Sequence, residues 1–297
     1  MFLPEPWASD ASRRRKAGVP EEVVFASKGE VALAQLDWAL ACGVRKHVVL
    51  ADGGYGESTG FRDQLDERGL EYVVAVNGEI VVWMPQSTPR IAHKVSGSRG
   101  RPPTRYRDDD NPPLALKTLA PTLRFRSVSW RLGSRGTQTG EFAALRVRTA
   151  HHHQLGVPHG DEQWLLCQRI DGGKSHKYWL SNLAATTSPA ELVRLAKLRW
   201  RIERDYQELK QEIGLDHYEG RTWRGFHHHA TLCAVAHGFL ALRRALFPPA
   251  AHAVDSANGP QSPAAGPAAK TRELPIMPKA NQTSRAGAAD SSSEVIR

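Results

Sequence analysis

The feature that most constrains this chain is an alternation of amphipathic and continuously apolar segments between residues 27 and 76. Ser27-Lys28-Gly29-Glu30 has the pattern of a capping box, in which the serine and glutamate side chains satisfy each other's backbone donors at a helix start. Val31, Leu33, Leu36 and Leu40 then recur at helical spacing, and Gly43 supplies a left-handed stop. Residues 47–51, His-Val-Val-Leu-Ala, form an apolar run that suits a strand buried on both faces. Asp52-Gly53-Gly54-Tyr55-Gly56 ends it in a tight turn. A second helix is expected over 61–68, closing at Gly69, and residues 72–76, Tyr-Val-Val-Ala-Val, form the next strand. Helix–strand–helix–strand within fifty residues predicts an α/β sheet with parallel members.

From residue 85 the rhythm changes. A Gly/Pro/Arg-rich loop at 96–107 is followed by strand-like pieces at 123–130 and 142–147. A hairpin follows, with 164–169 and 178–183 around Asp171-Gly172-Gly173. Residues 85–150 hold thirteen Lys and Arg against four Asp and Glu, which equals the surplus of +9 carried by all 297 residues. A cationic β-rich insertion of this kind points to a polyanionic partner, nucleic acid before an acidic membrane. No apolar stretch approaches the ~18 residues that span a bilayer, and residues 1–7 have no signal-peptide pattern. Three dispersed cysteines, Cys42, Cys167 and Cys233, exclude a disulfide scaffold and a paired-cysteine zinc module, and they suit a reducing cytoplasm.

Ser188-Pro189-Ala190-Glu191 is a second capping box, and its helix is expected to run to about Ile213 and stop at Gly214. Another helix is expected over 226–246. Residues 248–297 contain no Phe, Trp or Tyr and seven prolines, so they are expected to form a disordered tail. The predicted organisation is therefore a core piece over 1–84, a basic β-rich insertion over 85–187, further core helices over 188–247 and the tail over 248–297.

Two carboxylates draw attention. Asp52 directly follows the first apolar strand, at the carboxyl end where open α/β sheets gather ligands, although Asp before Gly-Gly is also ordinary turn chemistry. On the late helix Arg199, Glu203 and Lys210 fall within about 40° of one another, beside an apolar stripe of Leu195, Ile202, Leu209 and Ile213. An exposed Arg–Glu ladder has the same spacing. If Asp52 and Glu203 met, their hard oxygens would select Mg²⁺ or Mn²⁺. The runs His151–His153 and His227–His229 carry no zinc reading, because consecutive side chains point in different directions. Trp200, Trp223 and Tyr206 are candidates for stacking on unpaired bases, or for core and rim positions. Asp108, Asp109 and Asp110 are expected in a solvated loop.

The stretch that begins Leu198-Arg-Trp-Arg-Ile-Glu-Arg-Asp-Tyr and continues to Thr222-Trp-Arg-Gly-Phe-His-His-His resembles the C-terminal signature of bacterial insertion-sequence transposases of the DDE class. Leu50-Ala-Asp-Gly-Gly-Tyr-Gly is similar to their second-carboxylate motif, and Tyr178-Trp-Leu-Ser to their late insertion strand. The resemblance implies an RNase-H-like core with a β-rich insertion, and Mg²⁺-dependent cleavage and transfer of DNA strands at element ends by a synaptic oligomer. It implies that Asp52 and Glu203 are metal-binding catalytic carboxylates of a two-metal site. Arg199, Lys210 and Arg201 become DNA contacts.

Two departures accompany the resemblance. Ala196 stands where the family's signature has Tyr. The family's first catalytic Asp lies on an earlier core strand, whereas Asp10 and Asp37 are expected in a loop and a helix. The chain is therefore expected to be an N-terminally truncated transposase with an incomplete core and impaired catalysis, the missing polypeptide being lost or supplied in trans. The alternative is a non-catalytic DNA-binding protein or transposition inhibitor.

Overall fold

The computed structural model describes residues 3–91, 103–133 and 136–247. In chain order these form α1 (Glu5–Ala8), α2 (Ala11–Ala17), α3 (Lys28–Ala41), β1 (Val49–Ala51), α4 (Gly53–Gly56), α5 (Thr59–Glu67), β2 (Tyr72–Val76) and β3 (Val81–Trp83). Then come β4 (Arg90–Ile91), β5 (Tyr106–Arg107), β6 (Leu114–Ala115), α6 (Leu116–Leu119), β7 (Arg126–Gly133) and β8 (Gly136–Thr149). The chain continues through β9 (Glu162–Ile170), β10 (Ser175–Ser181), α7 (Pro189–Leu198), α8 (Trp200–Gln211) and α9 (Trp223–Leu246). The expected tail at 248–297 and most of the basic loop at 96–107 lie outside the described residues.

One mixed sheet organises these elements. Its strand order is β1-β2-β10-β9-β8-β3-β6, with β7 paired to β8 off that path. The β1–β2 pair is parallel, Leu50 opposite Val73, and the other described pairs are antiparallel. The anticipated parallel sheet is thus reduced to one pair. The strands expected as an insertion continue the same sheet, β10 running beside β2 with Trp179 opposite Ala75.

Successive side chains of a strand point to opposite faces, and here both faces are covered. Tyr72, Val74, Leu165 and Leu180 pack toward Phe61 and Leu65 of α5, with Leu33 and Leu36 of α3 against them. Val73, Leu166 and Trp179 pack on the opposite side against Leu192, Val193 and Leu195 of α7. Burial on two faces explains why β2, β9 and β10 contain apolar runs instead of an alternating pattern.

Local chemistry sets the boundaries. The Ser27 side chain accepts from Glu30 N while Glu30 reaches back to Ser27 N, closing the capping box of α3. Gly43 and Gly69 adopt left-handed φ of 83° and 59° after α3 and α5. The Ser188 hydroxyl accepts from Glu191 N to start α7.

Three expectations change. The first strand is shorter, Val49–Ala51, and only half-buried, because no described strand pairs with its outer edge. The late helix breaks at Arg199 into α7 and α8, where Ile202 N donates to Arg199 O in a tighter three-residue turn. The break falls where the buried face of α7 ends. The apolar stripe accordingly fails as a core seam: Leu195 is buried, but Ile202 is exposed and α8 buries none of its side chains. α9 packs against α8, with Arg244 and His237 near Glu208, and leaves Leu232, Val235 and Phe239 exposed.

Candidate active site

β1 delivers Asp52 to the end of the sheet, and a sharp turn fixes it there. Asp52 N-caps α4, its Oδ1 accepting from Gly54 N at 3.0 Å. The turn fits because Gly56 has no side chain, since a Cβ there would lie 2.1 Å from Ala75 O of β2. The expected tight turn at 52–56 is therefore one helical turn seated on the neighbouring strand.

Arg199, at the junction of α7 and α8, reaches across to Asp52. Its Nη1 lies 3.3 Å from Asp52 Oδ2, and its Nη2 lies 3.1 Å from Glu203 Oε1 one turn further along. Two carboxylates far apart in sequence thus converge on one guanidinium. The three side chains line a cavity of about 550 Å³ together with Tyr55, Ile202 and Tyr206, and β1 and α3 complete its walls. The polar groups sit at a partly open mouth: the side chains of Asp52, Arg199 and Glu203 are 49%, 41% and 68% exposed.

The donor set fits one hard divalent cation. Mg²⁺ is commonly held by one or two carboxylates plus waters and substrate phosphate, and Asp52 Oδ2 and Glu203 supply that number. Among the described residues no group of three or more His, Cys, Asp or Glu could hold a metal ion. Asp10 and Asp37 stand elsewhere. Asp10 caps α2 by accepting from Arg13 N, and Asp37 is clamped by the Arg68 guanidinium, which holds its carboxyl below the usual range.

The other anticipated contacts distribute unevenly. Lys210 and Arg201 are exposed on α8 but are not among the residues lining the cavity. The basic segment is partly neutralised by carboxylates that flank it in sequence: Arg146 pairs with Glu162 and Lys117 with Glu79, while Glu141 of the segment pairs with Arg169. Arg131 of β7 stacks over Trp200 at 3.9 Å, joining the strand hairpin to the start of α8. Asp108 accepts from Thr88 N, Asp110 N and Asn111 N, so it organises its loop. The His151–His153 run shows no metal-binding arrangement, and His153 bonds the Ala150 carbonyl.

Tyr206, a stacking candidate from the sequence, and Tyr55 of the carboxylate motif line the cavity, whereas sequence reasoning missed the walls contributed by Gln35 and Phe61. The spacing of α3 shows which residues share a face, but not which neighbour that face meets. It also missed Lys197, whose ammonium lies 5.1–5.5 Å from the ring centres of Trp130, Phe142 and Trp179 and donates to Gln168. Burial, then the nearby charge of Lys177, brings that ammonium down to about 8.

Residues 1–137 match the family described as DDE superfamily endonuclease. The match includes Asp52, ends before Arg199 and Glu203, and spans less than half of the 297 residues. No match was found among curated proteins. Over residues 1–137 the chain is similar to a superfamily of endonucleases that generally uses divalent metals. The mixed α/β architecture is consistent with a DDE nuclease fold, and no described helix is long and apolar enough to cross a membrane.

Proposed function

We propose that this chain carries the catalytic portion of an insertion-sequence DNA transposase, built on an RNase-H-like core and catalytically impaired by itself. The observation that carries the reading is the convergence of Asp52 and Glu203 on Arg199 at the mouth of one cavity. Like charges so close require a cation between them, and the guanidinium provides one.

Asp52 Oδ2 and Glu203 Oε1 would hold Mg²⁺ or Mn²⁺ while Arg199 turns from the carboxylates to a DNA phosphate. The bound ion supplies charge neutralisation for the attacking and leaving oxygens of phosphodiester displacement. Lys210 and Arg201 extend the phosphate contacts along exposed α8. Impairment follows from the donor count, since two carboxylates hold one ion where in-line displacement by this family is expected to use two. A further copy or another polypeptide would complete the site.

The test is nicking of supercoiled DNA by the full chain with Mg²⁺ or Mn²⁺. Slow metal-dependent nicking, lost in both Asp52→Asn and Glu203→Gln, is the expected result. Nicking that survives both substitutions overturns the assignment of the site, and rapid turnover by the unaided chain overturns the impairment.

A second reading is a non-catalytic DNA-binding protein or transposition inhibitor. Arg199 favours it, because the guanidinium already neutralises the carboxylates that a metal would use. That reading predicts salt-sensitive DNA binding unaffected by Asp52→Asn.

A further inference from the structure

A second cleft of about 680 Å³ opens between the N-terminal helices and the segment leading into α9. It shares no lining residue with the Asp52–Glu203 cavity. Its volume falls within the roughly 300–1,000 Å³ of small-ligand clefts. We propose that this cleft binds unpaired bases of a DNA strand, a contact that rests on the DNA substrate proposed above but lies outside the cavity assigned to cleavage.

Aromatic rings make the cleft: Trp7 on one side, and Tyr218, Trp223 and Phe226 on the other. Trp7 is 41% exposed, far more than a core tryptophan such as Trp83 at 0%. Tyr218 is held in place. Its hydroxyl donates to Thr222 O at 3.0 Å, its ring meets Phe226 edge-on at 5.9 Å, and it stacks on His229 at 5.5 Å. A fixed ring is a better platform than a mobile one, because less rotamer freedom is lost when a base lies on it.

The charges around the rings choose the occupant. Arg13, Lys16 and Arg221 line the same cleft. Asp10 pairs with Arg13 at 3.2 Å, whereas no described carboxylate forms an ion pair with Lys16 or Arg221. The Arg13 guanidinium also sits 5.5 Å from the centre of the Trp7 ring. Planar faces beside two uncompensated cations match a chain of bases joined by phosphates. An apolar peptide would use the rings and leave the cations desolvated without a partner. A duplex would use the cations and leave the rings idle, because its base faces are stacked on one another.

The test uses the full chain and fluorescein-labelled oligo(dT) of twelve residues, with a labelled duplex of equal length, read by fluorescence anisotropy without added metal. Trp7→Ala is expected to weaken oligo(dT) binding about tenfold while duplex binding stays within about twofold, since one base–ring stack is worth about that much. Lys16→Gln combined with Arg221→Gln is expected to weaken oligo(dT) binding and flatten its dependence on salt. Because Trp223 also begins α9, Trp223→Phe keeps a ring there and should retain most of the binding that Trp223→Leu loses. Wild-type affinity for oligo(dT) in Trp7→Ala, or equal losses for single strand and duplex, would overturn the proposal. The anisotropy assay contains no metal and reads binding alone, whereas the cleavage reading is scored by metal-dependent nicking, so failure of that reading and failure of this one are separately visible.

Discussion

Arg199 lies between Asp52 and Glu203, its two terminal nitrogens 3.3 Å and 3.1 Å from one oxygen of each carboxylate. On the proposed reading a divalent ion would take the guanidinium's place, and the two cations would compete for the same oxygens. Such competition has a measurable sign.

Arg199→Ala should bind Mn²⁺ about tenfold more tightly than wild type, because no bound cation has to be displaced. Mn²⁺ titration followed by electron paramagnetic resonance measures this directly. Stability should change little, since exposed ion pairs contribute at most about 1 kcal/mol. Unchanged or weaker Mn²⁺ binding in Arg199→Ala would show that the guanidinium and the ion do not share a position.

Gly56→Ala tests how the site is held. A methyl group at Gly56 would fall 2.1 Å from Ala75 O and 3.0 Å from Val74 Cβ, and neither can move without disturbing β2. Overpacking of this kind costs about 3 kcal/mol, readable as a lower urea midpoint. Because α4 carries the N–H that fixes Asp52 Oδ1, the same substitution should also weaken Mn²⁺ binding. A Gly56→Ala protein with wild-type stability would mean that α4 does not seat on β2.

Much of this arrangement was legible in the sequence, and the reason differs by element. The caps at Ser27 and Ser188 are local, since donor and acceptor lie three residues apart, so pattern alone located the starts of α3 and α7. Asp52 and Glu203 were legible as candidates through motif resemblance, and Arg199 through helical spacing to Glu203. That Arg199 also reaches Asp52 was not legible, because the contact depends on how α7 packs across the face of β2. The edge position of β1 was hidden for a related reason. A run such as Val48-Val49-Leu50-Ala51 is equally apolar whether one neighbour pairs with it or two. The break at Arg199 escaped because helical propensity continues through 198–202, while the burial that supports α7 stops.

The three thiols should separate by burial. Cys42 is exposed at the end of α3, while Cys167 and Cys233 are buried, and burial pushes the Cys167 thiol up to about 12. The thiolate is the reactive form. At pH about 8 the native chain should therefore give one rapid equivalent with Ellman's reagent, lost in Cys42→Ser, and the remaining two only on unfolding. Rapid modification of Cys167 in the native protein would show that the β8–β9–β10 layer opens readily.

Lys197 should make stability rise with pH in a window set by its burial. Its ammonium titrates near 8 in the folded protein against the ordinary 10.5. Below about 8 both folded and unfolded chains are protonated, and the folded state bears the full cost of the half-buried charge. Above that pH the folded chain releases its proton while the unfolded chain keeps it, so the unfolded state binds more protons and stability increases. The gain by pH about 9.5 should be on the order of 1 kcal/mol after allowance for solvent screening. Tyr72 and Tyr178 act oppositely at higher pH, since burial raises both hydroxyls and their stabilising contribution fades once they ionise. The comparison therefore belongs between about pH 7.5 and 9.5, with urea unfolding of wild type set against Lys197→Met, whose profile should lack the rise. If the two profiles run parallel, the rings of Trp130, Phe142 and Trp179 hold the charge well enough to offset its burial, and the ammonium titrates in the ordinary range instead.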